Sequence, residues 1–221
     1  MKNKIKKNRR FNIEIRTPAT LAWVSALLML QACASNTGSR HVSGAEMLTT
    51  ASGSLDGKLV ICPMKVSNAP IATDGEVVDF YPSVLVDGVQ LLTAPVQGAC
   101  LSSGYGKRRG RMHKGVDYHQ RPAGPVFVAG DGTVIEAMYR RDYGYMILLD
   151  HGSSVYTRYA HLDSFNDGIR VGKKVNSGEV LGQMGSSGST RAVHLHYEIL
   201  TGDYATPKRS FGLRSRNPFK Q

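Results

Sequence analysis

The sequence predicts a mainly β protein, an antiparallel β-sandwich or partly open barrel whose strands leave a groove for functional side chains. Three observations carry this reading. From Gly104 onward, short alternating or apolar stretches recur between Gly-bearing turns, the pattern of many short strands. Almost no stretch spaces its apolar residues at helical intervals. Upstream, Ser83-Val84-Leu85-Val86 faces Val89-Gln90-Leu91-Leu92 across Asp87-Gly88, a two-residue hairpin signal. Strands are expected over 126–129, 133–140, 145–150, 154–160, 179–184 and 193–200, punctuated by Asp131-Gly132 and Asp167-Gly168. That gives about six to eight strands, and no repeat of about 20–50 residues is visible.

The charge is unevenly spread. A net charge of +11 over 221 residues is high, whereas 41% hydrophobic and 20% charged residues are ordinary for a globular chain. Residues 1–32 hold seven Lys/Arg and one acid, residues 33–103 three basic and six acidic side chains, and residues 104–221 eighteen basic and ten acidic. Just over half of the excess therefore lies in the first 32 residues. There a basic stretch from Lys2 to Arg16 leads into an apolar run from Leu21 to Leu30. The run is shorter than the roughly 20 residues a membrane-spanning helix needs, and suits a signal-peptide core. It ends in Leu30-Gln31-Ala32-Cys33, which resembles a bacterial lipobox, with Cys33 as the lipidated first residue after cleavage. The alternatives are an ordinary cleaved signal and an uncleaved anchor.

Cysteine count fits the lipobox. With Cys33 acylated, Cys62 and Cys100 remain as an even pair in an oxidising compartment. We expect a disulfide between them, closing a loop of about 38 residues and stabilising by about 3–4 kcal/mol; the alternative is two buried thiols. Residues 33–56, rich in Ser, Thr, Gly and Ala, read as a flexible tether. Residues 57–100 read as a small β extension packed on the main domain, which takes residues 101–221.

Three segments place metal-competent side chains where a strand would be apolar: His113-Lys114-Gly115-Val116-Asp117, Tyr159-Ala160-His161-Leu162 and His194-Leu195-His196-Tyr197-Glu198. Alternation puts His194, His196 and Glu198 on one face of a strand. The same rule aligns His113, Gly115 and Asp117, the glycine leaving space over the site. Two imidazoles and a carboxylate are ligands suited to Zn²⁺ with an open fourth position for water. Each motif alone is weak. Together, in one β domain, they point to metal-dependent hydrolysis.

In this order the motifs resemble the lysostaphin/LytM-type peptidoglycan endopeptidases, a family of zinc metallopeptidases. The likeness spans residues 94–200. It takes in Ser103-Gly104-Tyr105-Gly106, His113 to Tyr118, Asp150-His151-Gly152, Tyr159 to Leu162, Gly185 to Thr190 and His194 to Ile199. The resemblance implies one Zn²⁺ per chain held by His113, Asp117 and His196, with His161 and His194 as catalytic histidines. Glu198 is assigned either to orienting a histidine from behind or to a salt bridge on its strand. Where the family usually has a Gly-Pro or similar pair before His-x-His, this chain has Arg191-Ala192-Val193, which bears on substrate preference. The implied activity is hydrolysis of peptide cross-links in peptidoglycan stem peptides, with D-alanyl-diaminopimelyl bonds the leading expectation.

The rival reading is a non-catalytic regulator that activates cell-wall amidases; it is marked by lost ligands, and here all five chemical positions are filled. A lipoyl- or biotinyl-type carrier, suggested by Val171 to Gly182, has no use for three histidine motifs. No His-Glu-x-x-His occurs, which excludes a helix-borne zinc site. His119 reads as an exposed rim residue, His151 as structural in a turn, and His41 lies in the tether. Lys107, Arg108, Arg109, Arg111 and Lys114 read as a solvated loop, or as attraction to anionic wall polymers or phospholipid. Nucleic acid is not an expected partner, since an export signal is present and no nucleic-acid module is. A protein lipid-anchored in the outer membrane and facing the periplasm is expected, with a cell-wall or secretion-complex partner open.

Overall fold

The computed structural model describes residues 57–205 and 208–220. The leader, the lipidation residue Cys33 and the tether lie outside them. Among the described residues the first strands form two small hairpins: β1 (Ala72–Thr73) with β2 (Glu76–Val77), and β3 (Ser83–Val86) with β4 (Val89–Leu92). The second turns at Asp87-Gly88 with φ of 45° and 85°, positive at both central residues as a two-residue hairpin that matches strand twist requires. Next come β5 (Cys100–Ser103), β6 (Gly106–Arg108), β7 (Arg111–His113) and β8 (Val116–His119). The rest is β9 (Pro125–Phe127), β10 (Gly132–Arg140), β11 (Gly144–Asp150), β12 (Val155–Phe165), β13 (Lys174–Val175), β14 (Val180–Met184), β15 (Leu195–Thr201) and β16 (Arg214–Arg216). A 3-10 turn, Arg209–Phe211, precedes β16.

Ten of these strands form one antiparallel system in the order β13-β10-β11-β12-β15-β8-β5. β16 flanks β15, and β14 joins β12 to β9. The antiparallel β class expected from the sequence is what the described residues adopt. β12 is the strand that connects the two parts. Its first half pairs with β11 and β15; beyond His161 it pairs with β14, Leu162 opposite Met184.

Apolar side chains fill both faces of the central strands. Ile147 and Leu149 of β11 enter the large core with Tyr159, Leu195, Tyr197 and Ile199. Met146 and Leu148 enter a second cluster with Tyr156, Ala160, Leu200 and Leu213. Burial on both faces explains why Met146 to Leu149 reads as an unbroken apolar run rather than an alternating one. Register is fixed by the same packing, since a one-residue slip of β15 would turn its polar set into the core. Cys62 and Cys100 are joined by a disulfide with a Cα–Cα distance of 4.9 Å. It fastens the 57–67 segment to β5, alongside bridges Ile61–Leu101 and Ser67–Ser103.

Candidate metal centre

The centre is assembled by strand register. Ala160 of β12 lies opposite His196 of β15, and His196 lies opposite Asp117 of β8. Cross-strand partners share a face at close range, so His196 and Asp117 are neighbours by topology. His113 arrives from the end of β7. Residues 113–117 are therefore two strands broken at Lys114-Gly115, not the one continuous strand expected from the sequence. Gly115 lies at that break, packed closely against β15. A Cβ there would collide with the Tyr197 carbonyl oxygen and lie 2.9 Å from Glu198 Cγ. The glycine lets the backbone press against β15; it does not open space over the site.

His113 Nε2 lies 3.1 Å from Asp117 Oδ1 and 3.2 Å from His196 Nδ1, and His196 Nδ1 lies 2.8 Å from the same carboxylate oxygen. The donor atoms of the three residues lie within 4.8 Å of one another, and all three residues are buried. The outer ring nitrogens are already committed. His113 Nδ1 is 2.7 Å from the Gly104 carbonyl, which can only accept, so that nitrogen carries the proton. His196 Nε2 is 3.0 Å from Glu198 Oε1 and donates in the same way. His113 Nε2, His196 Nδ1 and an Asp117 carboxylate oxygen thus converge on one point, where a divalent cation would take both imidazole nitrogens and the carboxylate as ligands. Burial alone would depress His196, but its bonds to Asp117 and Glu198 raise it to about 9. Burial likewise pushes Asp117 up, and its bonds to His113 and His196 prevail and hold it well below the usual carboxylate range. The donor set fits a divalent metal with nitrogen and oxygen ligands.

Two further imidazoles flank the three. His161 sits at a bulge in β12 with φ of 61°, its backbone N–H bonded to the Tyr143 carbonyl at 2.8 Å. Its Nδ1 donates to Ser187 O at 2.8 Å. His194 donates from Nδ1 to Ala192 O at 2.8 Å, and its Nε2 is 3.9 Å from Asp117 Oδ1. The two rings stand 4.7 Å apart. Each therefore keeps an unprotonated Nε2. Burial lowers His161 to about 4, helped by the charges of His194 and His196, and burial also lowers His194. All five side chains line one groove of about 510 Å³, with Tyr143 among its walls.

Behind His196 lies a support the sequence reading did not find. Arg158 is the cross-strand partner of Glu198. Its Nη1 pairs with Glu198 Oε2 and reaches Tyr143 Oη at 3.0 Å, while Nη2 donates to Ser210 O at 3.0 Å. Tyr143 donates to Glu198 Oε1 at 3.0 Å. Arg158 is 2% exposed and Glu198 0%. Burial would raise Glu198, but the His196 hydrogen bond and the Arg158 charge hold it at about 2. Glu198 therefore does both things weighed for it: it contacts His196 and it forms a salt bridge. The signal for Arg158 was its place in a stretch otherwise reading as strand, with a matching acid on another strand.

The remaining histidines differ from one another. His119 is not an exposed rim residue; it is half-buried, with Nδ1 2.6 Å from Val193 O. His151 bonds Asp131 O at 2.8 Å and Thr157 Oγ1 at 2.7 Å, a structural tie. The basic stretch 107–111 is not a loop but the β6–β7 hairpin, turning at Arg109-Gly110 with φ of 48° and 78°.

Comparison with known proteins adds names to this geometry. Over 125 residues the chain is 30% identical to the peptidoglycan DD-endopeptidase ShyC of Vibrio cholerae, covering 53% of this chain and 28% of that protein. It is 36% identical over 88 residues to the DD-carboxypeptidase/endopeptidase Mpg of Neisseria gonorrhoeae, covering 40% and 20%. It is 34% identical over 98 residues to the glycyl-glycine endopeptidase ALE-1 of Staphylococcus capitis, covering 43% and 26%. The chain thus spans between a fifth and three tenths of the length of these relatives. A zinc-containing peptidase from Vibrio cholerae is similar in structure, with TM-score 0.51 and 26% identity over 63% of this chain and 46% of that one. Residues 111–207 match the model of Peptidase family M23, and His113, Asp117, His161, His194 and His196 all lie inside that segment.

Proposed function

We propose that this protein is a zinc-dependent endopeptidase that hydrolyses the peptide cross-links of bacterial peptidoglycan, with one Zn²⁺ held by His113, Asp117 and His196. The observation that carries the reading is the meeting of those three donors in an open groove beside two more imidazoles with free Nε2 atoms. Zinc bound there supplies a Lewis acid that acidifies water and polarises a carbonyl. The chain's own residues do the rest. His161 and His194, kept neutral by burial, take a proton from the attacking water and return it to the leaving amine. Glu198, anchored by Arg158, holds the His196 ring so that Nδ1 faces the centre. The names of the relatives support peptidoglycan as the substrate, and two of them support a DD bond. The basic leader and the lipobox-like Cys33 support export and lipid anchoring to the outer membrane, facing the periplasm. A regulator of amidases would not need all five positions filled.

The test is mass spectrometry of products released from purified cross-linked peptidoglycan by wild type and by His196→Ala, with and without chelator. We expect cleaved cross-links from wild type alone, lost on chelation and restored by zinc. Release by His196→Ala, or release insensitive to chelator, would refute the mechanism.

A further inference from the structure

The β6–β7 hairpin supplies His113 to the centre, but its arginines play no part in the chemistry above. Arg108, Arg109 and Arg111 line a cavity of about 760 Å³ together with Lys65, and the cavity shares His113 and Met112 with the groove. Ser67, Ser102 and Ser103 also line it, and no Asp or Glu does. Arg108 stands at the junction, bonded to Ser103 Oγ at 2.7 Å and to Asp117 Oδ2 at 3.4 Å. Among the described residues Lys65, Arg109 and Arg111 form no ion pair. Lys65 is exposed, but its backbone is fixed in place. The Cys62–Cys100 disulfide and the Ser67–Ser103 bridge hold its segment along β5. Four cations around one recess repel each other, and the recess collects negative charge.

We infer that this cavity is an anion subsite that seats a free carboxylate of the stem peptide on one side of the scissile bond, that of the diaminopimelyl residue. The inference rests on the endopeptidase reading for its substrate class. The Ser67 and Ser103 hydroxyls and the guanidinium groups supply the donors a carboxylate takes up, Ser102 already donating to Asp117 O, and a substrate chain leaving the centre past Arg108 enters the cavity directly. The subsite selects cross-links by their charge. It also gives the 57–67 segment a function beyond packing.

The same donors would accept a phosphate, so the experiment separates the two. Two synthetic cross-linked peptides are compared, identical except that the diaminopimelyl carboxylate is free in one and amidated in the other. kcat/KM is measured for wild type, for Lys65→Ala/Arg111→Ala and for Arg111→Lys, with inorganic phosphate as competitor. Wild type should prefer the free acid about fivefold, the order given by two solvent-screened ion pairs. The preference should reside in KM, fade with added salt, collapse towards unity in the double variant and persist in Arg111→Lys. Equal preference in wild type and double variant overturns the inference. So does an absent preference in wild type, and if phosphate then binds wild type but not the double variant, the cavity belongs to phosphate. Should wild type cleave neither peptide, the endopeptidase reading has failed instead, and direct binding of the same two peptides decides the subsite by the same ratio.

Discussion

Glu198 and Arg158 form a charge pair with almost no exposure to water, and the free energy tied up in it can be separated from its effect on the metal centre. Glu198→Gln alone leaves the Arg158 guanidinium buried without its carboxylate, a loss of about 3–5 kcal/mol. Any fall in metal affinity would then be confounded with unfolding. Arg158→Met/Glu198→Gln removes both charges, and replacing a buried pair with neutral groups of similar volume costs far less than orphaning one member. What the double variant still lacks is the anionic acceptor 3.0 Å from His196 Nε2. Losing such a partner typically weakens metal binding about 10- to 100-fold, or about 1.4–2.7 kcal/mol. The assay is zinc affinity by competition with a chromophoric chelator, alongside denaturant unfolding. Glu136→Gln is the control: its carboxylate is buried too, but bonds Tyr204 Oη at 2.7 Å and Ser210 Oγ at 3.3 Å, away from the centre. It should cost stability and leave zinc affinity unchanged. A folded double variant that binds zinc within about twofold of wild type would refute the argument that Glu198 sets the His196 ring.

Four further outcomes are expected. His161→Ala should retain zinc and lose about 10²- to 10⁴-fold in kcat, and parallel loss of metal in the same sample would assign His161 to the ligand set instead. Gly115→Ala should destabilise by about 1–3 kcal/mol as the methyl meets the Tyr197 carbonyl, read as a lowered denaturant midpoint; a neutral result would mean β8 and β15 separate freely. Cys62→Ser/Cys100→Ser should lose about 3–4 kcal/mol, matched by wild type under reductant. Burial lowers His151 below 6.5, so the unfolded chain binds its proton more readily than the folded protein. The stability this contributes is complete above pH 6.5 and is lost as pH falls towards the folded value. Unfolding midpoints should therefore drop more steeply with acid in wild type than in His151→Asn, by at most about 1.4 kcal/mol per pH unit, and equal slopes would exclude His151 as the cause.

Much of this was legible because strands impose a period of two. That period aligns His196 with Glu198 and turns Leu195, Tyr197 and Ile199 into the core, where all three are fully buried. The Asp87-Gly88 turn was legible for a similar reason, since its residues adopt positive φ cheaply. Arg109-Gly110 makes the same kind of turn but was passed over, because an arginine at positive φ has no propensity to announce it. Gly115 was misread because its constraint comes from the Tyr197 carbonyl, about 80 residues away in sequence. Arg158 left only a weak signal for the same reason: its burial becomes tolerable only once β12 and β15 are known to pair Arg158 with Glu198.

The position of His161 follows from the same pairing and explains why β12 is irregular. Arg158 and Ala160 point to the face that carries Glu198 and His196, and Tyr159 points to the large core. In an unbroken strand His161 would follow Tyr159 inward, and an imidazole without partners would be buried among apolar side chains. Leu162, which packs in the large core, would be turned out in exchange. One extra residue at the bulge reverses both. The chain takes φ of 61° at His161, the ring swings to the side of His194 and His196, and Leu162 returns to the core. A left-handed, non-glycine residue costs about 1–3 kcal/mol and persists only where the surroundings hold it. Here the Tyr143 and Ser187 carbonyls hold it, through the backbone N–H and Nδ1 of His161. The strain and the placement of the imidazole are therefore one feature, and the bulge is the means by which a strand with two faces brings adjacent residues to the same side.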